Sequence, residues 1–138
     1  MLKKILVVDD SALIHQMYRL VMNRYKCAIA DAMNGQEALE ILAEQQDIEL
    51  ILLDINMPVM NGLQFLEKAG PLGIVKKIPI IIISTEGKEE DTIHGLKLGA
   101  RGYLKKPFHP AGLHEMIEKI IIPPAAIQEL IQATSTAR

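Results

Sequence analysis

The sequence predicts an α/β fold in which helices cover both faces of a parallel sheet. Strand-like apolar runs alternate along the chain with segments whose apolar residues recur at helical spacing, which is the pattern of repeated βαβ units. The runs at 50–53 and 80–83 contain only Leu and Ile, without polar alternation, as expected of strands buried on both faces. The length of 138 residues suits a single domain.

The composition excludes several classes of function. Lys and Arg number 15 against 17 Asp and Glu, so the net charge of −2 provides no basic stripe for nucleic acid. No apolar run approaches the roughly 20 residues that span a bilayer, and the start of the chain lacks the apolar core of a secretory signal. The single cysteine, Cys27, excludes an internal disulfide and suits a reducing compartment. We therefore expect a cytoplasmic protein without a nucleic-acid partner and without membrane insertion.

Five apolar runs are predicted as strands, and four of them end in side chains that could build one site. The run Cys27–Ala30 is the exception. In an open parallel sheet the carboxyl ends of the strands share one edge, and ligands bind there. The other four runs are Ile5–Val8, followed by Asp9 and Asp10; 50–53, followed by Asp54; 80–83, followed by Ser84 and Thr85; and Tyr103-Leu104, followed by Lys105, Lys106 and Pro107.

Helical patterns follow each of these strands. Ser11 is the predicted N-cap of the first helix. The apolar face of that helix is predicted to consist of Leu13, Met17, Leu20 and Val21. The fourth helix, near 89–98, has the weakest apolar pattern and is expected to be partly exposed. The second helix follows Asn34-Gly35, the third follows Asn61-Gly62 and ends near Gly70-Pro71, and the last contains Leu113, Met116, Ile117, Ile120 and Ile121.

The domain is predicted to span residues 1–122, with a C-terminal tail at 123–138. Two prolines at the start of the tail end the last helix. Ile127, Leu130 and Ile131 recur at helical spacing, so the tail can form a short helix that packs on the domain, mediates dimerisation or begins a linker. A segment of this length cannot bury a core of its own.

Three carboxylates at one sheet edge predict a site for a hard divalent cation, with Mg²⁺ as the first candidate. At an effective dielectric constant of about 20, carboxylates about 4–6 Å apart repel each other by a few kcal/mol. Asp9, Asp10 and Asp54 would share the ion. Asp54 is the expected nucleophile, because a carboxylate can attack a phosphoryl group and form an aspartyl phosphate. Lys106 would neutralise the phosphoryl group and Ser84 would donate its hydroxyl to it.

Each of these residues also has an ordinary structural interpretation. An aspartate or serine that follows a strand commonly caps a turn or helix, and Lys105-Lys106 taken alone suits a solvated pair. Their joint placement at strand ends favours the site. The histidines show no zinc-binding spacing and are predicted at the surface; they are His15, His94, His109 and His114.

Four ordered motifs resemble the CheY-like receiver domain of two-component response regulators. The resemblance extends from residue 3 to about residue 121. It implies a flavodoxin-like (βα)5 three-layer sandwich with the parallel strand order 2-1-3-4-5. The motifs are Val7–Ser11, Leu53–Gly62, Ile83–Glu86 and Gly99–Phe108.

The resemblance implies a role for each acidic residue. Asp54 would accept a phosphoryl group from a phosphohistidine on a sensor histidine kinase. Mg²⁺ would be bound by Asp9, Asp10 and Asp54, with the backbone carbonyl of Asn56 as a further ligand. Such a protein phosphorylates itself from its donor and loses the group slowly, and it is not a metabolic enzyme.

The resemblance also implies a switch. Ser84 and Lys106 would bind the phosphoryl group, and the Lys106–Pro107 peptide bond is expected to be cis. Ser84 and Tyr103 would move together on phosphorylation, reshaping the face made by the fourth helix, the fifth strand and the fifth helix. This face would bind a downstream protein target.

Within the family, the chemotaxis-type single-domain regulators are the most similar subgroup, because Asn56 and Glu86 flank the site. The flagellar motor switch is then one candidate target. Ser84 replaces the commoner Thr and Thr85 stands where Ala is common, which affects the expected dephosphorylation rate. The alternatives are a Mg²⁺-dependent phosphatase with an aspartate nucleophile, for which Asn56 is a poor acid, a receiver domain cut from a longer regulator, and a constitutive interaction module.

Overall fold

A five-stranded parallel sheet in the order β2-β1-β3-β4-β5 confirms the predicted fold class. This computed structural model describes residues 2–85, 89–121 and 132. The chain divides into two compact units, Met1–Phe108 with the whole sheet and His109–Arg138. The strands are β1 (Lys4–Val8), β2 (Ala28–Ala32), β3 (Leu50–Leu53), β4 (Ile80–Ser84) and β5 (Gly102–Lys105).

The helices begin close to where the sequence predicts them. They are α1 (Ala12–Val21), α2 (Gly35–Glu44), α3 (Gly62–Ala69), α4 (Ile74–Lys77), α5 (Glu89–Lys97) and α6 (Pro110–Ile121), with a 3₁₀ helix at Met22–Tyr25. The short α4 and the 3₁₀ helix were not predicted, so the fourth predicted helix is α5. As expected, α5 is partly exposed, with Ile93 and Leu96 at its surface.

Side-chain caps explain where three of the helices begin. The Ser11 hydroxyl accepts a hydrogen bond from the Ile14 amide at 3.3 Å at the start of α1. The Asn34 side chain accepts from the Glu37 amide at 2.9 Å at the start of α2. Asn61 forms a reciprocal capping box with Gln64 at the start of α3. Each cap satisfies amide groups that the first helical turn leaves without a partner.

The core lies where alternate strand residues meet the helices. On one face of the sheet, Leu6, Val8, Ile51 and Leu53 belong to a buried apolar cluster. From α2 and α3 this cluster receives Ala38, Phe65, Leu66 and Ala69. The strand residues that alternate with them, including Ile5, Val7, Leu52 and Ile81, are also fully buried. Burial on both faces is the reason that β3 and β4 are apolar throughout.

The predicted apolar face of α1 is wrong. Leu13 and Leu20 are 78% and 80% exposed, whereas His15 and Tyr18 are buried. The Tyr18 ring stacks on the Phe108 ring, with centroids 6.1 Å apart. The aliphatic residues suggested one helical phase, but the helix buries a stripe that contains an aromatic and a histidine side chain.

Two further predictions concern the ends of segments. The domain boundary at 122 stays a prediction, because the proposed tail at 123–138 lies outside the described residues apart from Gln132. The described part of the chain contains no helix of the length and apolar character needed to traverse a lipid bilayer. Cys27 precedes β2 and is a half-buried free thiol.

Candidate functional site

The carboxyl edge of the sheet brings the predicted site residues together through strand pairing. The Asp54 amide donates a hydrogen bond to the Val8 carbonyl at 2.9 Å, which extends the β1–β3 pairing to the acidic residues. The Lys106 amide donates to the Ser84 carbonyl at 3.0 Å in the same way at the end of β4 and β5. The parallel register therefore places residues that are far apart in sequence next to each other.

Three carboxylates meet at this edge. One oxygen each from Asp9, Asp10 and Asp54 lies within 4.8 Å of the other two. Asp9 is 2% exposed and Asp54 is 8% exposed, whereas Asp10 faces solvent. Two of the three charges are thus held away from water, where an uncompensated negative charge is costly.

The donor set suits a small hard cation. All three ligands are carboxylate oxygens, and an octahedral ion with metal–oxygen distances of about 2.1 Å places opposite ligands roughly 4.2 Å apart. The observed separations approach this span without rearrangement of the backbone. The exposure of Asp10 leaves room for the water ligands that such an ion retains.

Asp9 is the most tightly fixed of the three. One of its carboxylate oxygens accepts a hydrogen bond from the Ser11 amide at 2.9 Å. The other lies 2.6 Å from the ammonium nitrogen of Lys106, whose side chain is 11% exposed. The lysine therefore neutralises Asp9 at a position close to the predicted cation.

Asp54 sits in a different electrostatic environment. Burial raises the pKa of its carboxyl, the Lys106 ammonium opposes this effect, and the Asp9 carboxylate adds to it. The Ile55 amide donates a hydrogen bond to one Asp54 oxygen at 2.9 Å. The result is a partly desolvated carboxylate with a pKa above its usual range, which is the more basic and less solvated of the acids that could act as nucleophile.

Two buried hydroxyls on β4 and β5 have no hydrogen-bond partner among the described residues. They belong to Ser84 and Tyr103, and Tyr103 pairs in register with Ile82. Unpartnered buried polar groups are uncommon and call for an explanation. Their roles as phosphoryl ligand and switch stay predictions, as does the carbonyl role of Asn56, whose side chain is exposed. The Lys106–Pro107 bond is cis, as the resemblance implies.

The loop between β3 and α3 packs closely against the phosphoacceptor candidate. A Cβ atom at Gly62 would lie 2.3 Å from the Asp54 carbonyl oxygen and 2.9 Å from the Ile55 Cα. The Gly62 amide donates a hydrogen bond to the Ile55 carbonyl at 2.8 Å. This glycine permits the start of α3 to contact the backbone that carries Asp54.

Sequence reasoning missed a polar network beside Asp9. His15 is 4% exposed, contrary to the prediction that it lies at the surface. Its ring nitrogens contact the Asp31 carboxylate at 2.6 Å and the Asp9 carbonyl at 2.7 Å. Asp31 also accepts two hydrogen bonds from the Arg19 guanidinium. Asp31 lies in β2, so the strand that was predicted to lack a constellation supplies an acid next to the site.

A sequence signal for this network exists but is weak. His15 and Arg19 are four residues apart and therefore share one side of α1. Asp31 interrupts the apolar pattern of β2. His114 is also buried, contrary to the surface prediction, whereas His94 and His109 are exposed as expected.

Several known proteins are similar to this chain. Residues 5–118 match the profile of the family described as response regulator receiver domain. Chemotaxis protein CheY1 of Helicobacter pylori is 38% identical over 119 residues, covering 86% of this chain and 96% of the relative. Phosphate regulon transcriptional regulatory protein PhoB of Escherichia coli is 34% identical over 134 residues, covering 96% of this chain and 58% of the relative. The structure of chemotaxis response regulator CheY4 of Vibrio cholerae superposes with a TM-score of 0.78 at 32% identity, covering 88% of this chain and 100% of that one.

Proposed function

Because the chain belongs to the family of response regulator receiver domains, we propose that it is a phosphorylation-activated response regulator with Asp54 as the phosphoacceptor. The donor is a phosphohistidine on a sensor histidine kinase. The observation that carries this proposal is the buried Asp54 carboxylate, which lies within 4.8 Å of carboxylate oxygens of Asp9 and Asp10. The protein acts as a signalling module in two-component regulation rather than as a metabolic enzyme.

The proposed reaction transfers one phosphoryl group. A carboxylate oxygen of Asp54 attacks phosphorus, an O–P bond forms, and the P–N bond of the phosphohistidine breaks with its electron pair left on the imidazole nitrogen. Burial of Asp54 supports this role, because a carboxylate that has already lost part of its hydration needs less reorganisation to attack.

We propose that Mg²⁺ is held by Asp9, Asp10, Asp54 and the backbone carbonyl of Asn56. When bound, the ion supplies neutralisation of the charge on the phosphoryl oxygens. The Lys106 ammonium is close enough to Asp9 to leave it and pair with a phosphoryl oxygen on Asp54. The lysine would then exchange one anionic partner for another within the same site.

The switch is proposed to use the two hydroxyls that have no partner. A phosphoryl oxygen on Asp54 would give the Ser84 hydroxyl an acceptor, and Tyr103 would adjust with it. Ile93 and Leu96 of α5 are 46% and 44% exposed, which provides apolar contacts for a downstream protein. The chemotaxis relatives favour a chemotaxis role, with the flagellar motor switch as a candidate target and the cytoplasm as the compartment.

Part of a longer regulator is the second candidate. The chain matches 96% of its own length to PhoB but covers only 58% of that protein. A receiver domain followed by a further domain would use the same phosphoacceptor chemistry. The proposed role of Asp54 is therefore common to both candidates, and only the output differs.

Labelling with radioactive acetyl phosphate in the presence of Mg²⁺ tests the proposal. We expect the native chain to incorporate up to one phosphoryl group and Asp54→Asn to incorporate none. Asp47→Asn is the matched control, because Asp47 is an exposed aspartate that pairs with Lys4 at 3.6 Å near the opposite edge of the sheet. Full labelling of Asp54→Asn contradicts the proposal, and steady turnover of a phosphate ester would favour the phosphatase alternative.

A further inference from the structure

We propose that His15 is a positioning residue that fixes the backbone of Asp9 and thereby sets the affinity of the site for its divalent cation. This inference rests on the cation site of the proposed function. His15 lies one turn into α1, on the buried side of the helix. It contacts no reacting atom, so any effect on the site passes through Asp9.

The hydrogen-bond geometry assigns a proton to each ring nitrogen of His15. Nε2 lies 2.7 Å from the Asp9 carbonyl oxygen, which can only accept. Nδ1 lies 2.6 Å from a carboxylate oxygen of Asp31, which also only accepts when ionised. Burial acts to raise the pKa of Asp31, but hydrogen bonds from Arg19 and His15 outweigh it and the pKa lies below its usual range. The ring is therefore a two-headed donor clamped between two fixed acceptors.

The far end of this clamp is anchored to β2. Arg19 donates to both carboxylate oxygens of Asp31, so the carboxylate cannot rotate without losing hydrogen bonds. The neighbouring Ala32 carbonyl accepts a hydrogen bond from the Asp9 amide at 3.0 Å. The end of β2 thus grips Asp9 twice, once directly through the backbone and once through His15.

The consequence concerns the direction of the Asp9 carboxylate. With its amide and carbonyl both held, the Asp9 peptide cannot swing, and its side chain is fixed toward Ser11 and Lys106. Groups that orient a metal ligand from behind typically change metal affinity by about 10–100-fold when they are removed. A preorganised ligand loses less conformational freedom when the ion binds.

Charge and position predict opposite signs, which makes the inference testable. His15 and Arg19 are donors of positive charge near a cation site, so their removal by electrostatics alone would tighten Mg²⁺ binding. Loss of positioning weakens it. A purely structural role for His15 would lower stability without a specific effect on Mg²⁺.

The experiment measures Mg²⁺ binding by calorimetry and the Mg²⁺ dependence of acetyl phosphate labelling for the full chain. We expect His15→Gln to raise the Kd for Mg²⁺ about tenfold. The Mg²⁺ concentration for half-maximal labelling should rise in parallel, and the rate at saturating Mg²⁺ should return to about the native value. Arg19→Met, at an exposed position that tolerates substitution, should weaken binding severalfold in the same direction.

Ile48→Ala is the stability control, because Ile48 is buried just before β3, far along the strand from Asp54. It should lose stability in urea without Mg²⁺ and keep the native Kd. A native or tighter Kd in both His15→Gln and Arg19→Met overturns the inference while the proposed function stands. No binding of Mg²⁺ by the native chain overturns the cation site and the inference together.

Discussion

The ammonium nitrogen of Lys106 and a carboxylate oxygen of Asp9 lie 2.6 Å apart, with both side chains largely buried. The lysine neutralises one of the carboxylates that crowd the sheet edge. It also occupies one Asp9 oxygen that a divalent cation would use. Lysine and cation are therefore competitors for the same ligand, although both lower the repulsion between the acids.

Replacement of Lys106 by Met separates these two effects. Without Mg²⁺ the buried Asp9 charge loses its partner, so we expect the free energy of unfolding to fall by about 2–3 kcal/mol. The affinity for Mg²⁺ should rise severalfold, because a competing positive charge is gone. Urea unfolding in EDTA and calorimetric Mg²⁺ titration measure the two quantities, with Lys105→Met as the exposed control. Weaker Mg²⁺ binding by Lys106→Met would contradict the competition.

Asp54 predicts a pH dependence of stability in the metal-free protein. Burial, which is the largest influence, raises the pKa of this carboxyl, with Lys106 opposing and Asp9 adding to the shift. The folded state therefore binds the proton more tightly than the unfolded state, and this group lowers stability as pH rises from about 4 through the raised pKa. Asp54→Asn should be more stable than the native chain at pH 7, and the advantage should shrink toward pH 4.

Urea unfolding in EDTA across this pH window provides the measurement for Asp54. Asp47→Asn controls for the loss of one exposed negative charge. Parallel pH profiles for native protein and Asp54→Asn would show that Asp54 carries no unfavourable desolvation in the folded state.

The strands and the acidic cluster could be predicted because parallel pairing has a simple geometry. Runs such as 50–53 are apolar throughout, and the residue after each run must lie at the same edge of the sheet. Asp9, Asp10 and Asp54 follow this rule, and the structure brings them together. Helix starts were predictable for the same local reason, because a cap such as Ser11 acts on its own first turn.

The burial of His15 could not be predicted because it depends on partners that are distant in sequence. In the sequence, Leu13 and Leu20 define an apolar face, and a histidine between them suggests the solvent side. In the fold, Asp31 and the Asp9 carbonyl satisfy both ring nitrogens, so the histidine can be buried without an unpaired polar group. Tertiary hydrogen bonding thus overrides the hydrophobic phase of α1.

Gly62 predicts how tightly the phosphoacceptor depends on the start of α3. In Gly62→Ala the added Cβ would meet the Asp54 carbonyl oxygen at 2.3 Å, so the backbone around Asp54 must move. We expect a loss of about 2–3 kcal/mol in the free energy of unfolding and slower acetyl phosphate labelling. Gly112→Ala, within α6, is the control, because its Cβ meets no described atom within 4 Å. The control should be neutral or stabilising by about 0.5–1 kcal/mol. Equal stability of the two variants would contradict the close approach.

Val59 holds an unfavourable backbone conformation in the loop beside the acidic site. Its φ of 66° lies in the left-handed region, which costs a β-branched residue about 1–2 kcal/mol. The Met60 amide donates a hydrogen bond to the Pro58 carbonyl at 2.7 Å across this residue, so the tight turn is closed. The side chain is 81% exposed, and its packing therefore offsets little of the cost.

Val59→Asn should relieve this strain, because asparagine enters the left-handed region more readily. We expect a gain of about 1 kcal/mol in the free energy of unfolding, measured in urea, with labelling of Asp54 retained. Val59→Thr is the matched control, since it keeps the branched Cβ and should stay within about 0.5 kcal/mol of the native chain. If Val59→Asn were no more stable than Val59→Thr, the turn would relax in solution and the positive φ would carry no energetic cost.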